Sequence, residues 1–196
     1  MFEYLESIDR SIVLVVNGWN TPFLDQFFWY VTKTATWIPF YLLLLYFIWK
    51  NYGTRTTLVF LGMALLMIAI VDSTTTFFFK DTIMRYRPAR NLLLEKHLHY
   101  YMEDGQKYLG GKYGFFSSHA SNNAALGLLS WFFLRKFYPN LKWILIFSVA
   151  LIGLSRIYLT MHYLSDVLCG IVWGVLWAFV FWMIYKRFFA NKTESE

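Results

Sequence analysis

The chain has 196 residues, 58% hydrophobic and 22% aromatic, with a mean hydropathy of +0.41. Soluble domains run nearer about 45–50% apolar, so the composition excludes an ordinary soluble enzyme and points to one membrane-embedded domain over 1–196. A net charge of +6 is too small and too scattered for a nucleic-acid partner. The basic residues fall between apolar segments, which suits membrane topology and anionic lipid.

Residues 1–24 read as an amphipathic segment. Phe2, Leu5, Ile8, Ile12, Val13 and Val16 recur at helical spacing against Glu3, Glu6, Asp9 and Arg10. The unbroken apolar run is far shorter than the about 20 residues a spanning helix needs, so a helix lying in the interface is expected, ended by Asn17-Gly18. No cleavable signal peptide is expected, because the N-terminus lacks a basic n-region and carries Glu3, Glu6 and Asp9.

A helical bundle over 25–187 follows, with about five spanning helices: 27–49, 56–79, 118–134, 141–155 and 163–185. Lys33 and Pro39 lie in the first, with a kink expected at the proline. Asp72 lies inside the second, where an acid is usually paired or functional. It is expected to tie helices together through Asn122 or Asn123. The fold class is therefore an all-α polytopic membrane bundle with an N-terminal interfacial helix. The only cysteine, Cys169, sits in an apolar run, so no disulfide framework and no cysteine-based metal site exists.

The connections orient the bundle. Lys50 and Arg55, then Arg135, Lys136 and Lys142, then Lys186, Arg187 and Lys192 fall on one side, with no acid before Glu194 in the tail. That side is expected to be cytoplasmic, with residues 188–196 as a cytoplasmic tail. The N-terminal segment and the loops at 80–117 and 155–162 then share the opposite face, which would be the periplasm in a bacterium and a lumen or the exterior in a eukaryote.

All the residues with chemical potential fall on that opposite face. Ser155-Arg156 is followed by His162 and Asp166, four residues apart, which a helix would stack on one face. A carboxylate against an imidazole sets its tautomer and leaves the other ring nitrogen free to attack. Arg156 offers a planar fork for phosphate oxygens. These residues would equally serve as polar caps between two membrane helices. Lys80 and Arg87 are seven apart, two helical turns, and Pro88 ends that helix at Arg87. They would equally anchor a helix end at headgroups. Ser117 or Ser118 is a natural N-cap for the third span, whose first-turn amides and dipole form an anion site that His119 also reaches. Three such stretches converging on one face, all suited to an anion, point to phosphoryl transfer. His97-x-His99 in the long loop reads as solvated rather than metal-binding. Arg85 and Arg90 read as headgroup contacts.

Lys80-x6-Arg87-Pro88, then Ser117-x-His119, then Ser155-Arg156-x5-His162-x3-Asp166 resembles the three-part signature of the type 2 phosphatidic acid phosphatase superfamily. The second motif departs from the family's Pro-Ser-Gly-His, reading Phe116-Ser117-Ser118-His119. The resemblance implies metal-independent hydrolysis with no cofactor. His162 is the nucleophile forming a phosphohistidine, and Asp166 orients its ring. His119 protonates the leaving oxygen and then activates water. The phosphate is held by Lys80, Arg87 and Arg156, with the Ser117 hydroxyl and the Ser118 amide. The expected substrate is a membrane lipid phosphate monoester or diphosphate, of the undecaprenyl diphosphate or lipid A class, with phosphatidylglycerol phosphate and phosphatidic acid behind. A lipid phosphotransferase of the same superfamily and a non-catalytic phospholipid-binding or transport protein are the alternatives.

Overall fold

The computed structural model describes residues 2–189. Residues 190–196, with Lys192 and Glu194 of the expected tail, lie outside the described residues. The order is α1 (Phe2–Asn17), α2 (Pro22–Thr32), α3 (Thr34–Thr74), a π-helical stretch (Thr75–Lys80), α4 (Asp81–Ile83), and 3-10 turns at Pro88–Arg90 and Glu95–His97. A small antiparallel ribbon follows, β1 (Met102–Glu103) and β2 (Gln106–Lys107), pairing Met102 with Lys107 and Glu103 with Gln106. Then come α5 (Ser118–Leu134), α6 (Leu141–Tyr158) and α7 (Leu164–Phe188).

Among the described residues, three helical stretches are long and apolar enough to cross a membrane: Thr34–Ile83, Leu141–Tyr158 and Leu164–Phe188. The first is bent back on itself. Gly53 has φ 76° inside α3, a conformation that costs glycine little and L-residues much. Residues 38–45 on one side of it line the same groove as residues 60–68 on the other. The expected connection at Lys50–Arg55 is therefore a tight hairpin.

The expected helix over 27–49 is broken, and not at Pro39. The break is at Lys33, which is extended (φ −74°, ψ 126°) between α2 and α3. Carbonyls freed there are taken up locally. The Thr36 hydroxyl donates to Tyr30 O at 2.7 Å and the Trp37 indole donates to Val31 O at 2.8 Å. The break therefore leaves neither of these carbonyls unsatisfied. Lys33 itself stacks over the Trp29 ring, 4.6 Å from its centroid.

α5 is the central helix, packed against α7, α6 and α3. Its inner positions are small, with Ala120, Ser121, Ala124 and Ala125 buried. Gly170 and Gly174 of α7 face Ser117 and Ser121 of α5 so closely that side chains would not fit. Helices without a strong hydrophobic drive between them associate through such small-residue contacts.

α1 buries only part of its apolar stripe. Val13 and Val16 are buried, while Leu5, Ile8, Leu14 and Val15 stay exposed. Asp9, expected on the polar face, is turned inward and only 5% exposed. Asn17 does more than end the helix. Its Nδ2 donates to His99 O at 2.9 Å and Tyr158 O at 2.8 Å, and its Oδ1 accepts from His99 N at 2.8 Å. α1 is thereby docked onto the long loop and the end of α6.

A Cβ at Gly170 would sit 2.6 Å from the Ser117 carbonyl, a backbone atom that cannot yield cheaply. Gly170→Ala should therefore destabilise the protein by about 1–3 kcal/mol. A lowered melting temperature in detergent, read against the wild type, checks this.

Candidate active site

Each expected site residue is set by a local device. Lys80 closes the π-helical stretch at the end of the α3 hairpin. One extra residue in a turn is a common way to re-aim a side chain at a functional site. Lys80 Nζ donates to Ser118 Oγ at 2.6 Å. The Ser118 side chain, which replaces the glycine of the related motif, thus holds the lysine. Ser117 is the N-cap of α5, its Oγ accepting weakly from Ala120 N at 3.4 Å. Its own amide donates to Asp166 O at 3.0 Å, which ties the start of α5 to the start of α7.

Arg87 is extended (φ −64°, ψ 154°), as a residue before proline should be. Its Nε donates to Tyr113 O at 3.1 Å and its Nη1 lies 3.3 Å from Met161 Sδ. The loop closes over this side chain through glycines. Gly110 has φ 57°, and a Cβ at Gly114 would meet Arg87 Cγ at 3.1 Å and Asp166 Oδ2 at 3.4 Å. Arg156, 3% exposed, donates from Nη1 to Thr32 Oγ1 at 2.5 Å, and its Nε has no hydrogen-bond partner among the described residues.

His162 and Asp166 are brought together, but not as neighbours on one helix face. α6 ends at Tyr158, and Thr160 turns left-handed (φ 60°). His162 N then donates back to Arg156 O at 3.2 Å. The imidazole precedes the N-cap, Tyr163, and Asp166 lies three residues into the cap motif, with Oδ2 accepting from Tyr163 N at 2.9 Å. His162 Nδ1 stands 3.6 Å from Asp166 Oδ2 without a hydrogen bond. His162 is 2% exposed and Asp166 wholly buried. Burial holds the His162 imidazolium form well below the usual histidine range, and the charges of Arg156, Arg87 and Lys80 add to this. The ring is therefore neutral at neutral pH, the state a nitrogen nucleophile requires. Burial and Arg156 lower Arg87 to about 10, which still leaves it charged at neutral pH.

His119, in the first turn of α5, lies within electrostatic reach of His162 and of the same three cations. With Ser118 it lines a cavity of about 560 Å³ that descends past Trp37, Tyr41, Asp72 and Asn122. Asp72 shares that cavity with both asparagines but hydrogen-bonds to neither. Asn123 is held by the Tyr41 hydroxyl and by its own helix, its Nδ2 donating to His119 O at 2.8 Å.

The electrostatics separate two kinds of cation. Among the described residues, Lys80, Arg87 and Arg156 form no ion pair, although all are half-buried or buried. Arg85 is fully paired instead, its Nη2 to Asp9 Oδ2 and its Nη1 to Asp166 Oδ1, each at 2.7 Å. It is not at the surface for headgroups, as expected from sequence, and Arg90 Nη2 donates to Gly110 O at 3.1 Å. His99 is likewise not simply solvated, because its Nε2 contacts Asp25 Oδ2 at 2.9 Å. Sequence reasoning also missed Thr32, whose spacing from Arg156 carries no local signal.

A membrane helical bundle that holds two histidines and three unpaired cations at one end of its core helix is the architecture of a membrane-embedded phosphoric-ester hydrolase. The chain belongs to the PAP2 superfamily, whose family model matches residues 56–190. It is 33% identical over 184 residues to a lipid A 4'-phosphatase of Porphyromonas gingivalis, covering 93% of this chain and 75% of that protein. It is 30% identical over 200 residues to a lipid A 4'-phosphatase of Bacteroides thetaiotaomicron, covering 100% of this chain and 82% of that protein. The fold is shared with a transmembrane PAP2-type phosphatidylglycerolphosphate phosphatase from Bacillus subtilis. The TM-score is 0.70 at 22% identity, over 94% of this chain and 88% of that one.

Gly114→Ala should push Arg87 out of place. Its binding of inorganic phosphate, measured by competitive inhibition of turnover, should weaken about tenfold.

Proposed function

We propose that this protein removes a phosphate monoester from a lipid of the lipid A class at the non-cytoplasmic membrane face, through a phosphohistidine on His162. The observation that carries this is the cluster of Lys80, Arg87 and Arg156, three cations without carboxylate partners beside a neutral buried imidazole. A buried cation without a counterion is costly. A phosphate dianion satisfies all three at once, and the same field stabilises the transferring phosphoryl group. The names of the two bacterial relatives support the lipid A class over undecaprenyl diphosphate.

In the first step His162 Nε2 attacks phosphorus. The N–P bond forms as the ester P–O bond breaks, and His119 gives its proton to the departing lipid oxygen. In the second, His119 takes a proton from water, whose oxygen attacks phosphorus. The N–P bond breaks and inorganic phosphate leaves. Asp166 orients His162 and balances the charge that develops on its ring. The amide of Ser118, at the start of α5, and the Ser117 hydroxyl complete the phosphate cradle. The cavity beneath His119 lies on the leaving-group side and is suited to the lipid alcohol.

The topology is five crossings, with the α3 hairpin supplying two, α5, α6 and α7 one each, and α1 lying in the interface. Asp9 of α1 contacts Ser165 at the start of α7, so α1 and the site share one face. Lys50, Arg55, Arg135, Lys136, Lys142, Lys186 and Arg187 cluster at the other, cytoplasmic end, by the positive-inside rule.

Purified protein in detergent with EDTA should release phosphate from lipid A faster than from undecaprenyl diphosphate, phosphatidylglycerol phosphate or phosphatidic acid. His162→Ala should abolish release, and retention of more than about a few percent of turnover would remove the nucleophile assignment. Because the free His162 imidazolium is disfavoured, kcat/KM should hold as pH falls through about 6.5 and decline only below it. An acid limb at or above the ordinary histidine value would contradict this environment.

A further inference from the structure

Asp166 Oδ2 faces the amide of Tyr163 and the ring of His162, while Oδ1 faces away from the imidazole, toward Arg85. Arg85 is a two-ended bridge. Nη1 donates to Asp166 Oδ1 and to Ser165 Oγ, both at 2.7 Å, and Nη2 donates to Asp9 Oδ2 at 2.7 Å. Asp9 is itself held, with Oδ1 accepting from Ser165 N at 3.0 Å and Oδ2 accepting from the Ser165 hydroxyl. The guanidinium carbon lies over the Tyr163 ring, 4.1 Å from its centroid, and the Tyr163 hydroxyl accepts from Asn91 Nδ2 at 2.9 Å. Each carboxylate and the guanidinium is therefore held from a second side. Arg85 borders a separate cleft with Glu6, Arg10 and Tyr86, away from the cavity that His119 lines.

We propose that Asp9 and Arg85 are positioning residues for the His162–Asp166 pair, so that the N-terminal helix takes part in catalysis. Asp9 lies 157 positions before Asp166 in sequence and touches neither histidine. Its effect travels through one guanidinium. A single cation shared between two buried carboxylates leaves one net negative charge. Asp9 draws on half of the Arg85 fork and stops Arg85 from neutralising Asp166 outright. Asp166 then keeps the charge that orients His162 Nδ1–H and stabilises the developing imidazolium. Without Asp9 the fork would swing fully onto Asp166, weakening and displacing the acceptor that already sits 3.6 Å from the ring. Without Arg85, two buried carboxylates would face each other across Ser165. Neither residue lies in the phosphate cradle, so both act on the chemical step rather than on substrate affinity.

This rests on the phosphohistidine reading above, and the test separates the two. Phosphate release from lipid A in detergent is measured for the wild type, Asp166→Asn, Asp9→Asn, Arg85→Lys and the double variant, each with its melting temperature. Asp9→Asn keeps the shape and the acceptor for Ser165 N and removes only the charge, so it stands alone if Arg85→Lys does not fold. Each single variant should lose about tenfold in kcat with KM within about twofold, the lower end of what hydrogen-bonded partners behind a metal-ligating histidine contribute. The double variant should be within about twofold of Arg85→Lys, because both act through one carboxylate. A single variant with wild-type kcat, losses that multiply in the double variant, or kcat and KM moving together with a fallen melting temperature would each overturn the proposal. If these results arise while Asp166→Asn is inactive, the phosphohistidine reading survives. A wild type that releases no phosphate overturns both.

Discussion

Three positive side chains held together without counterions are the constraint around which this bundle is arranged. Lys80, Arg87 and Arg156 repel one another, and Arg156 is almost wholly buried. The bundle has to supply rigid partners that fix their geometry without cancelling their charge. It does so with neutral acceptors: the Ser118 hydroxyl for Lys80, the Tyr113 carbonyl and Met161 sulfur for Arg87, and the Thr32 hydroxyl for Arg156. A carboxylate in any of these places would hold the cation better and leave less for an anion. Where the fold does want a neutralised cation, at Arg85, it supplies two acids.

That choice explains the distribution of small residues around the site. Gly110 and Gly114 let the long loop close on Arg87, and Gly170 lets α7 approach the start of α5. The amide of Ser117 can then reach the carbonyl of Asp166. The same contact places the first turn of α5, with His119, against the turn carrying His162. The α5–α7 seam is thus both the main packing interface and what brings His119 within electrostatic reach of His162.

The outer shell is built from segments that look incidental in sequence. The break at Lys33 places Thr32 at the end of a helix, where its hydroxyl is free to reach Arg156. α1 contributes Asn17 to the loop and Asp9 to the Arg85 bridge.

The sequence by itself determined the helical class, because runs of apolar residues near bilayer length leave few other solutions. It also marked Lys80, Arg87, His119, Arg156, His162 and Asp166 as candidates, since charged and imidazole groups at helix ends stand out against a hydrophobic background. Two helix ends fell where caps and glycines put them, α1 at Asn17 and α5 at Ser118. Other features carried no such signal. Lys33 and Pro39 both lie in the first apolar run, and which of them breaks it depends on the Thr36 and Trp37 side chains finding carbonyls. Asp9 matched the polar face of an amphipathic helix, and only the position of Arg85, 76 residues later, turns it inward. His162 and Asp166 have helical spacing, yet the left-handed turn at Thr160 starts α7 after the histidine. Periodicity records which residues prefer lipid or water. It does not record which distant polar partner a side chain meets, and that pairing, decided only in the folded bundle, sets the roles of Asp9, Arg85 and Thr32.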